Sequence, residues 1–284
     1  MIVIASIIWG TMGIFGKFAF AYGISPITLT AFRILISSFT ILVPITLLKR
    51  ELLNVKRKDL PRLFVFGLFG VAFQRIAYFY AVELTTATLA AILFYTYPIF
   101  VTIYASMFLK EKATKSALFA TVLAFFGVAL IVRAYEISWV STNLLGIVSG
   151  TLAGILFAVY FLMTKKLRDT YTNWTLLVYG DGIGALALTP VIWLSIPEIS
   201  VYPQQLWTLI AIIALFPSLT AYLLFSYALK HVESAKGSVL SVTEPLSAAL
   251  FSVTILGETF EPLQIIGVAL ALIGITLLFY KPNR

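Results

Sequence analysis

Residues 234–256, SAKGSVLSVTEPLSAALFSVTIL, and residues 261–281, EPLQIIGVALALIGITLLFYK, are two nearly unbroken apolar runs parted by Gly257-Glu258. A helix rises about 1.5 Å per residue, so about 20 apolar residues cross a hydrocarbon core of about 30 Å. Runs of this kind fill the chain. Ten fit, over 1–22, 26–48, 63–82, 86–109, 115–134, 144–164, 174–196, 205–229, 234–256 and 261–281. The breaks carry turn or charge chemistry: Gly23-Ile24-Ser25-Pro26, the basic run Lys49 to Arg62, Lys110-Glu111-Lys112, Lys165-Lys166, Pro197-Glu198 and Gly257-Glu258. Only helices and closed barrels satisfy their backbone in lipid, and barrel strands alternate in polarity over about ten residues. These runs do not alternate. The expected fold class is an all-α membrane protein of ten transmembrane helices.

Composition points the same way. Of 284 residues, 61% are apolar and 11% charged, against about 45–50% and about 25% in soluble domains. A soluble globule of this make-up has too little polar surface. That excludes a cytosolic enzyme, a nucleic-acid binder, a disordered tail and a collagen-like fibre. The expected partners are the lipid bilayer and a small-molecule substrate, with no nucleic acid, in a monomer or homodimer. The absence of Cys removes disulfides, zinc or iron–sulfur sites and a cysteine nucleophile, and a single His, His231, removes a multi-histidine metal site. No cofactor and no metal are expected. Met1-Ile2-Val3-Ile4 has neither a basic n-region nor a small-residue cleavage site, and reads as the start of the first membrane segment.

The charge of +8 is placed with a pattern. The loops after segments 2, 4, 6 and 8 and the C-terminus hold sixteen Lys and Arg, among them Lys49, Arg57, Lys112, Lys166, Lys236 and Arg284. The opposite loops hold only Arg133, and Lys17, Arg33 and Arg75 fall within apolar segments. By the positive-inside rule both termini are expected in the cytoplasm of a cell (plasma or inner) membrane, with Lys17 placed to snorkel to the outer interface.

The chain also repeats itself. At a constant offset of 147, Tyr80/Tyr227, Leu93/Leu240, Thr96/Thr243, Pro98/Pro245, Leu109/Leu256, Glu111/Glu258, Ala124/Ala271 and Gly127/Gly274 match without gaps, and Lys17/Lys165 match at 148. Matching Leu or Ala means little in this composition; paired Pro, Glu and Gly mean more. Segments 3–5 thus correspond to 8–10, and 1–2 to 6–7. Each half has an odd number of crossings, so the second is inverted. The expected division is a first five-helix repeat over 1–134, a linker over 135–143 and a second repeat over 144–284. Inverted repeats build secondary transporters, with the substrate near the midplane between the halves.

The repeated residues also carry a resemblance. Thr243-Glu244-Pro245, then Leu256-Gly257-Glu258, Gln264, Gly267 and Gly274, with Tyr97-Pro98, Glu111 and Gly127 in the first half and Trp9-Gly10 in segment 1, resemble the drug/metabolite transporter superfamily and its EamA-type group. The resemblance covers the whole chain. It implies ten helices, cytoplasmic termini, a central cavity and outward transport of small metabolites, often amino acids. It also implies that segments 3 and 4 line the cavity, which directs attention to Tyr78, Tyr95 and Tyr97. The sequence departs from the group at Gln74-Arg75, which leaves the cargo more open.

Charges inside a bilayer cost at least about 2.5–3.5 kcal/mol each and mark function by default. Glu244 lies about ten residues into segment 9, beside Pro245 and among Ser234, Gly237, Ser238, Ser241 and Ala248. It is expected to take a proton, making protons the candidate coupling ion, or to bind a substrate ammonium; the alternative is a buried carboxylate that orders the fold. Arg75, with Gln74 and Tyr78 on one helix face, is suited to grip a carboxylate or phosphate, or else to pair with Glu244 or Asp181. The substrate-binding set is therefore Glu244, Arg75, Gln74, Tyr78, Tyr95, Tyr97, Trp9 and Ser241. Pro98 and Pro245, paired interruptions in corresponding segments, are candidate hinges, with Arg33 as an outer and Asp181 as an inner gate residue.

The expected function is secondary active export of small polar metabolites, foremost amino acids, by alternating access. A carrier of organic cations, sugars or nucleotide derivatives on the same fold is the alternative. A channel would show pore rings of one charge sign, and a membrane-embedded enzyme would show clustered His, Asp or Cys; the sequence has neither. No G-x4-G-K-[ST] phosphate loop is present. The chain is not expected to be an enzyme.

Overall fold

The structure, a computed structural model, describes residues 1–85, 87–108, 114–136, 143–195, 201–257 and 259–277. Lys110-Glu111-Lys112, Pro197-Glu198, Glu258, Lys281, Arg284, most of the 135–143 linker and the repeat pairs with Leu109 and Glu111 lie outside these residues. Among the described residues the regular structure is helical, with no strand.

The chain begins with α1 (Ile2–Gly10) and α2 (Met12–Phe20), parted at Thr11, then α3 (Pro26–Leu48). Next come α4 (Leu60–Val65), a π-helical stretch over Phe66–Phe73 and α5 (Gln74–Leu84). They are followed by α6 (Ala87–Phe94), α7 (Tyr97–Phe108) and α8 (Lys115–Ile131). The second part runs α9 (Leu144–Leu167), α10 (Asn173–Leu194), α11 (Gln204–Ile213), a π-helical stretch over Ala214–Thr220, and α12 (Ala221–Leu229). It ends with α13 (Ser234–Leu240), α14 (Thr243–Leu256) and α15 (Pro262–Leu277). Eight of the ten expected spans, some built of two helices in line, are long and apolar enough to cross a membrane. The other two, α8 and α15, are shorter apolar helices of 17 and 16 residues. The end of α8 is set by Arg133, whose left-handed φ of 57° turns the chain out of the helix.

Local chemistry explains the starts and breaks. Ser25 caps α3 by accepting from the Thr28 amide at 3.1 Å, with Pro26 at the first helical position. Thr172 caps α10 in the same way from Thr175 at 3.2 Å. Pro98 and Pro245 lack an amide hydrogen and crowd the turn before them. The helix breaks two to four residues upstream of each, at Tyr95-Thr96 and at Ser241-Val242. The starts of α3 and α10, of α6 and α13, and of α8 and α15 are each 147 residues apart, and the two π-helical stretches share that register to within one residue.

Small residues let helices meet backbone to backbone. A Cβ on Gly127 of α8 would stand 2.7 Å from the Ala271 amide nitrogen of α15 and 2.8 Å from the Gly267 oxygen. A Cβ on Gly274 would stand 2.9 Å from the Ala120 oxygen and 3.2 Å from the Ala124 nitrogen. Each contact is the other displaced by 147 on both helices, the reciprocity of a two-fold contact. Gly10 of α1 meets Ser247 and Ala248 of α14 as closely. Phe39, Phe64, Phe119, Phe126, Leu186 and Trp193 remain exposed on the outside, the face that hydrocarbon would cover.

Gly127→Leu is expected to lower the unfolding temperature in detergent by the equivalent of roughly 2 kcal/mol or more, because the crossing cannot widen without losing its other contacts. Gly13→Ala, where nothing lies within 4 Å of the new Cβ, should be neutral or stabilising by up to about 1 kcal/mol. Equal melting of both variants would refute the packing argument.

Candidate functional site: a cavity closed at one end

A cavity of about 1080 Å³ enters the bundle. Its walls are Trp9 to Phe20 of α1 and α2, Pro26 to Arg33 of α3, Gln74 to Val82 of α5, Ala91 to Tyr95 of α6, and Glu244 to Val253 of α14. Its mouth is formed by Ile131, Val132, Arg133, Gly257, Thr259, Phe260 and Gln264. Along the spans 2–20, 26–48, 57–84 and 234–255 the lining takes only the half nearer this mouth. The cavity therefore opens at the end of the bundle that holds the charge-poor loops.

Beneath it the aromatic side chains close ranks. Trp9 meets Tyr222 at 4.8 Å, Tyr222 meets Tyr160 at 5.6 Å, Tyr160 stacks on Phe157 at 5.7 Å, and Phe157 meets Tyr97 at 4.7 Å. Tyr97, Phe161 and Phe225 are fully buried below this layer. The far end is further tied by polar contacts. The Tyr171 hydroxyl donates to Asp59 at 2.7 Å and accepts from the Lys56 amide at 3.1 Å. Thr175 and Tyr179 donate to the Leu52 and Leu53 carbonyls at 2.9 and 2.8 Å. The basic loop after α3 is thereby fastened to the turn between α9 and α10.

Most of the residues singled out from sequence reach this one cavity. Trp9, Arg33, Gln74, Arg75, Tyr78, Tyr95, Glu244 and Pro245 all line it. The Tyr95 phenol and the Glu244 carboxylate stand beside one another in its lining. Arg75 does not pair with Glu244 or Asp181: no ion pair within 4 Å joins them among the described residues. Its guanidinium lies 5.2 Å over the Tyr222 ring and reaches the Val71 carbonyl only at 3.4 Å. The π-helical stretch before Gln74 offsets the helix register by one residue just where these side chains must face inward.

Four of the expected residues stand apart. Tyr97 lies under the floor with its hydroxyl 3.4 Å from the Ser238 carbonyl. Ser241 donates to the Gly237 carbonyl of its own helix at 2.9 Å. Pro98 is behind the lining. Asp181 is buried between α3 and α10, where Ser37 donates to it at 2.7 Å; it borders a small closed void and not the main cavity.

Several lining residues escaped the sequence reading, among them Met12, Phe94, Phe157, Tyr222 and Gln264. The repeat held a usable signal for two of them: Tyr222 is 147 residues from Arg75 and Phe157 is 148 from Trp9. At the mouth, Arg133 pairs with Glu261 at 3.3 Å and with Glu136 at 3.6 Å, and the Tyr135 hydroxyl donates to Glu261 at 2.6 Å. That bond, with partial burial, pushes the Tyr135 phenol up to about 12. Gln264 donates to the Ile131 carbonyl at 2.8 Å, which fixes the start of α15 against the end of α8.

The EamA-like transporter family matches residues 1–133 and, a second time, residues 144–280. The chain belongs to the EamA-like transporter family. It is a multi-span membrane protein of a transporter family. It is 29% identical to an uncharacterized transporter of Archaeoglobus fulgidus over 97% of this chain and 94% of that one, and 29% identical to one of Bacillus subtilis over 100% and 94%. It is 24% identical to a "probable terminal-alkyne amino-acid exporter" of Streptantibioticus cattleyicolor over 80% and 76%. A solved crystal structure 16% identical in sequence superposes with a TM-score of 0.79 over 97% of this chain and 95% of that one, so the EamA chain shares its fold.

The chain has no Cys, so single cysteines report cleanly on access. Val82→Cys and Val253→Cys, in the lining, should react with a membrane-impermeant thiol reagent, while Val239→Cys, which is fully buried, should not. Labelling of all three, or of Val239→Cys alone, would contradict a cavity closed at its floor.

Proposed function

We propose that the chain is a secondary carrier that exports small amino-acid-like metabolites by alternating access between two inverted five-helix repeats, 1–134 and 144–284, joined by 135–143. The observation that carries this reading is one cavity holding both a carboxylate, Glu244, and a guanidinium, Arg75, at its closed end. A zwitterion needs both. The breaks and π-helical stretches in a common 147-residue register support the repeat, and with it ten crossings. The reciprocal Gly127 and Gly274 contacts support a pseudo-two-fold axis between α8 and α15.

Because the sequence puts sixteen Lys and Arg in the loops after segments 2, 4, 6 and 8 and at the C-terminus, the positive-inside rule puts the termini in the cytoplasm of the cell membrane and the mouth outside. The structure is then the outward-open state. Closure of the mouth and parting of the aromatic floor would be hinged at the breaks before Pro98 and Pro245 and gated by Arg33 on the cavity side and Asp181 behind it. Glu244 would exchange a proton as the coupling ion or hold the cargo ammonium, with Tyr95 as its partner. No catalytic role is assigned, and the carrier works as a monomer or homodimer. The Streptantibioticus relative named for amino-acid export supports the cargo class.

The test is counterflow of labelled amino acids in proteoliposomes, with and without a pH gradient. Saturable exchange is expected, weakened roughly tenfold or more in Glu244→Gln, as befits loss of a buried charge contact. A flat response across all amino acids would remove that cargo class and bring organic cations, sugars and nucleotide derivatives forward. Intact exchange with intact pH dependence in Glu244→Gln would remove the role given to Glu244.

A further inference from the structure

The cavity contains more positive charge than one carboxylate answers. Arg33 and Arg75 both line it, on α3 and α5, and lie close enough to repel one another. Neither has a carboxylate within 4 Å among the described residues. A guanidinium carries five N–H donors, and these two use few of them. Arg33 donates to the Met12 thioether at 3.1 Å, a weak acceptor. Arg75 rests over the Tyr222 ring and makes one long contact to the Val71 carbonyl. The Nε–H of each is buried without any partner. Asp181 feels both charges, but its carboxylate is held by Ser37 behind the lining, so it softens their field without occupying their donors. Arg133, at the mouth, is different: Glu136 and Glu261 neutralise it.

Two guanidiniums with free donors in an apolar enclosure call for two oxyanion groups, since isolated charge is costly there and bidentate Arg–oxyanion pairs are among the strongest contacts available. Glu244, which lines the same cavity, calls for one protonated amine. We infer that the preferred cargo is an amine-bearing dicarboxylate, an acidic amino acid or a close analogue, with one carboxylate at Arg75, the other at Arg33 and the ammonium at Glu244. This rests on the carrier reading above and sharpens it from amino acids in general to those of net negative charge. A cavity with one guanidinium and one carboxylate would favour neutral amino acids. The second guanidinium tips the balance, and on α3 it sits toward the mouth, where a side-chain carboxylate would lie.

The experiment compares L-glutamate with its neutral isostere L-glutamine and with L-lysine, in counterflow by the full chain in proteoliposomes. Quenching of tryptophan fluorescence in detergent gives a binding readout that needs no transport, because Trp9 lines the cavity with its indole N–H unpartnered. Glutamate is expected to bind and exchange roughly tenfold or more better than glutamine, with lysine weakest, the margin of one charge-assisted contact. Arg33→Gln should erase the preference for glutamate, lowering glutamate far more than glutamine, and Arg33→Lys should restore part of it. Melting curves check that each variant is folded. Glutamine or lysine handled as well as glutamate by the wild-type protein would overturn the inference and leave the carrier reading in place. An equal fall for glutamate and glutamine in Arg33→Gln would overturn it too, by making Arg33 structural. Exchange of neither glutamate nor glutamine, with other amino acids carried, would overturn it as well.

Discussion

A backbone in hydrocarbon has no water to satisfy it, so every N–H and C=O must find a partner within the protein. That constraint shapes this molecule more than any side chain does. It dictates helices throughout. It also means that a departure from regular helix is tolerated only where other protein groups or a water-filled space take over the freed polar groups. The breaks at Thr11, Tyr95-Thr96 and Ser241-Val242 and the π-helical stretches before Gln74 and Ala221 all lie next to the cavity or the aromatic layer beneath it. The outer lipid-facing surfaces of α3, α9 and α10 run without a break for more than 20 residues. Irregularity and function coincide because the bilayer leaves irregularity nowhere else to go.

Most of the fold was legible because lipid imposes few rules and imposes them strongly. Apolar length gave the helices. Ser25-Pro26 and Gly257 marked their ends, and Pro98 and Pro245 marked the breaks. The two short helices, α8 and α15, met the expectation only as apolar elements, since what holds them is not length but a glycine crossing that no hydropathy count reports. The site was legible in part. Glu244, Arg75 and Arg33 stood out because charge is expensive in the membrane. Tyr97 and Ser241 were expected in the cavity and are not, because position along a helix fixes depth but not azimuth, and the break at Ser241-Val242 turns α13 and α14 relative to each other. Asp181 shows the same limit: its depth was legible, whereas its place outside the cavity lining, bound by Ser37 between α3 and α10, was not.

The two ends of the cavity are held by different physics. At the mouth, Arg133, Glu136, Glu261 and Tyr135 form contacts that water can screen and replace. At the floor, rings from α1, α9 and α12 pack edge to face and stacked over buried phenylalanines. Opening the floor requires separating apolar area and loosening the Asp59–Tyr171 fastening below it. The contacts at the mouth, by contrast, are between partly exposed polar side chains. The state seen here therefore has its stronger barrier on the side of the basic loops.

Arg75 rests on Tyr222, and these two positions are 147 residues apart. Positions so related meet near the axis that would exchange the halves. In an assembly of two identical chains, a residue on such an axis must face its own copy, and a guanidinium there would face another guanidinium. Joined into one chain, the halves are free to differ at that point, and this protein sets an arginine against a tyrosine. The same holds for Glu244, whose counterpart is Tyr97, and for Trp9, whose counterpart is Phe157. The scaffold keeps the economy of a symmetric object, while its centre has become handed.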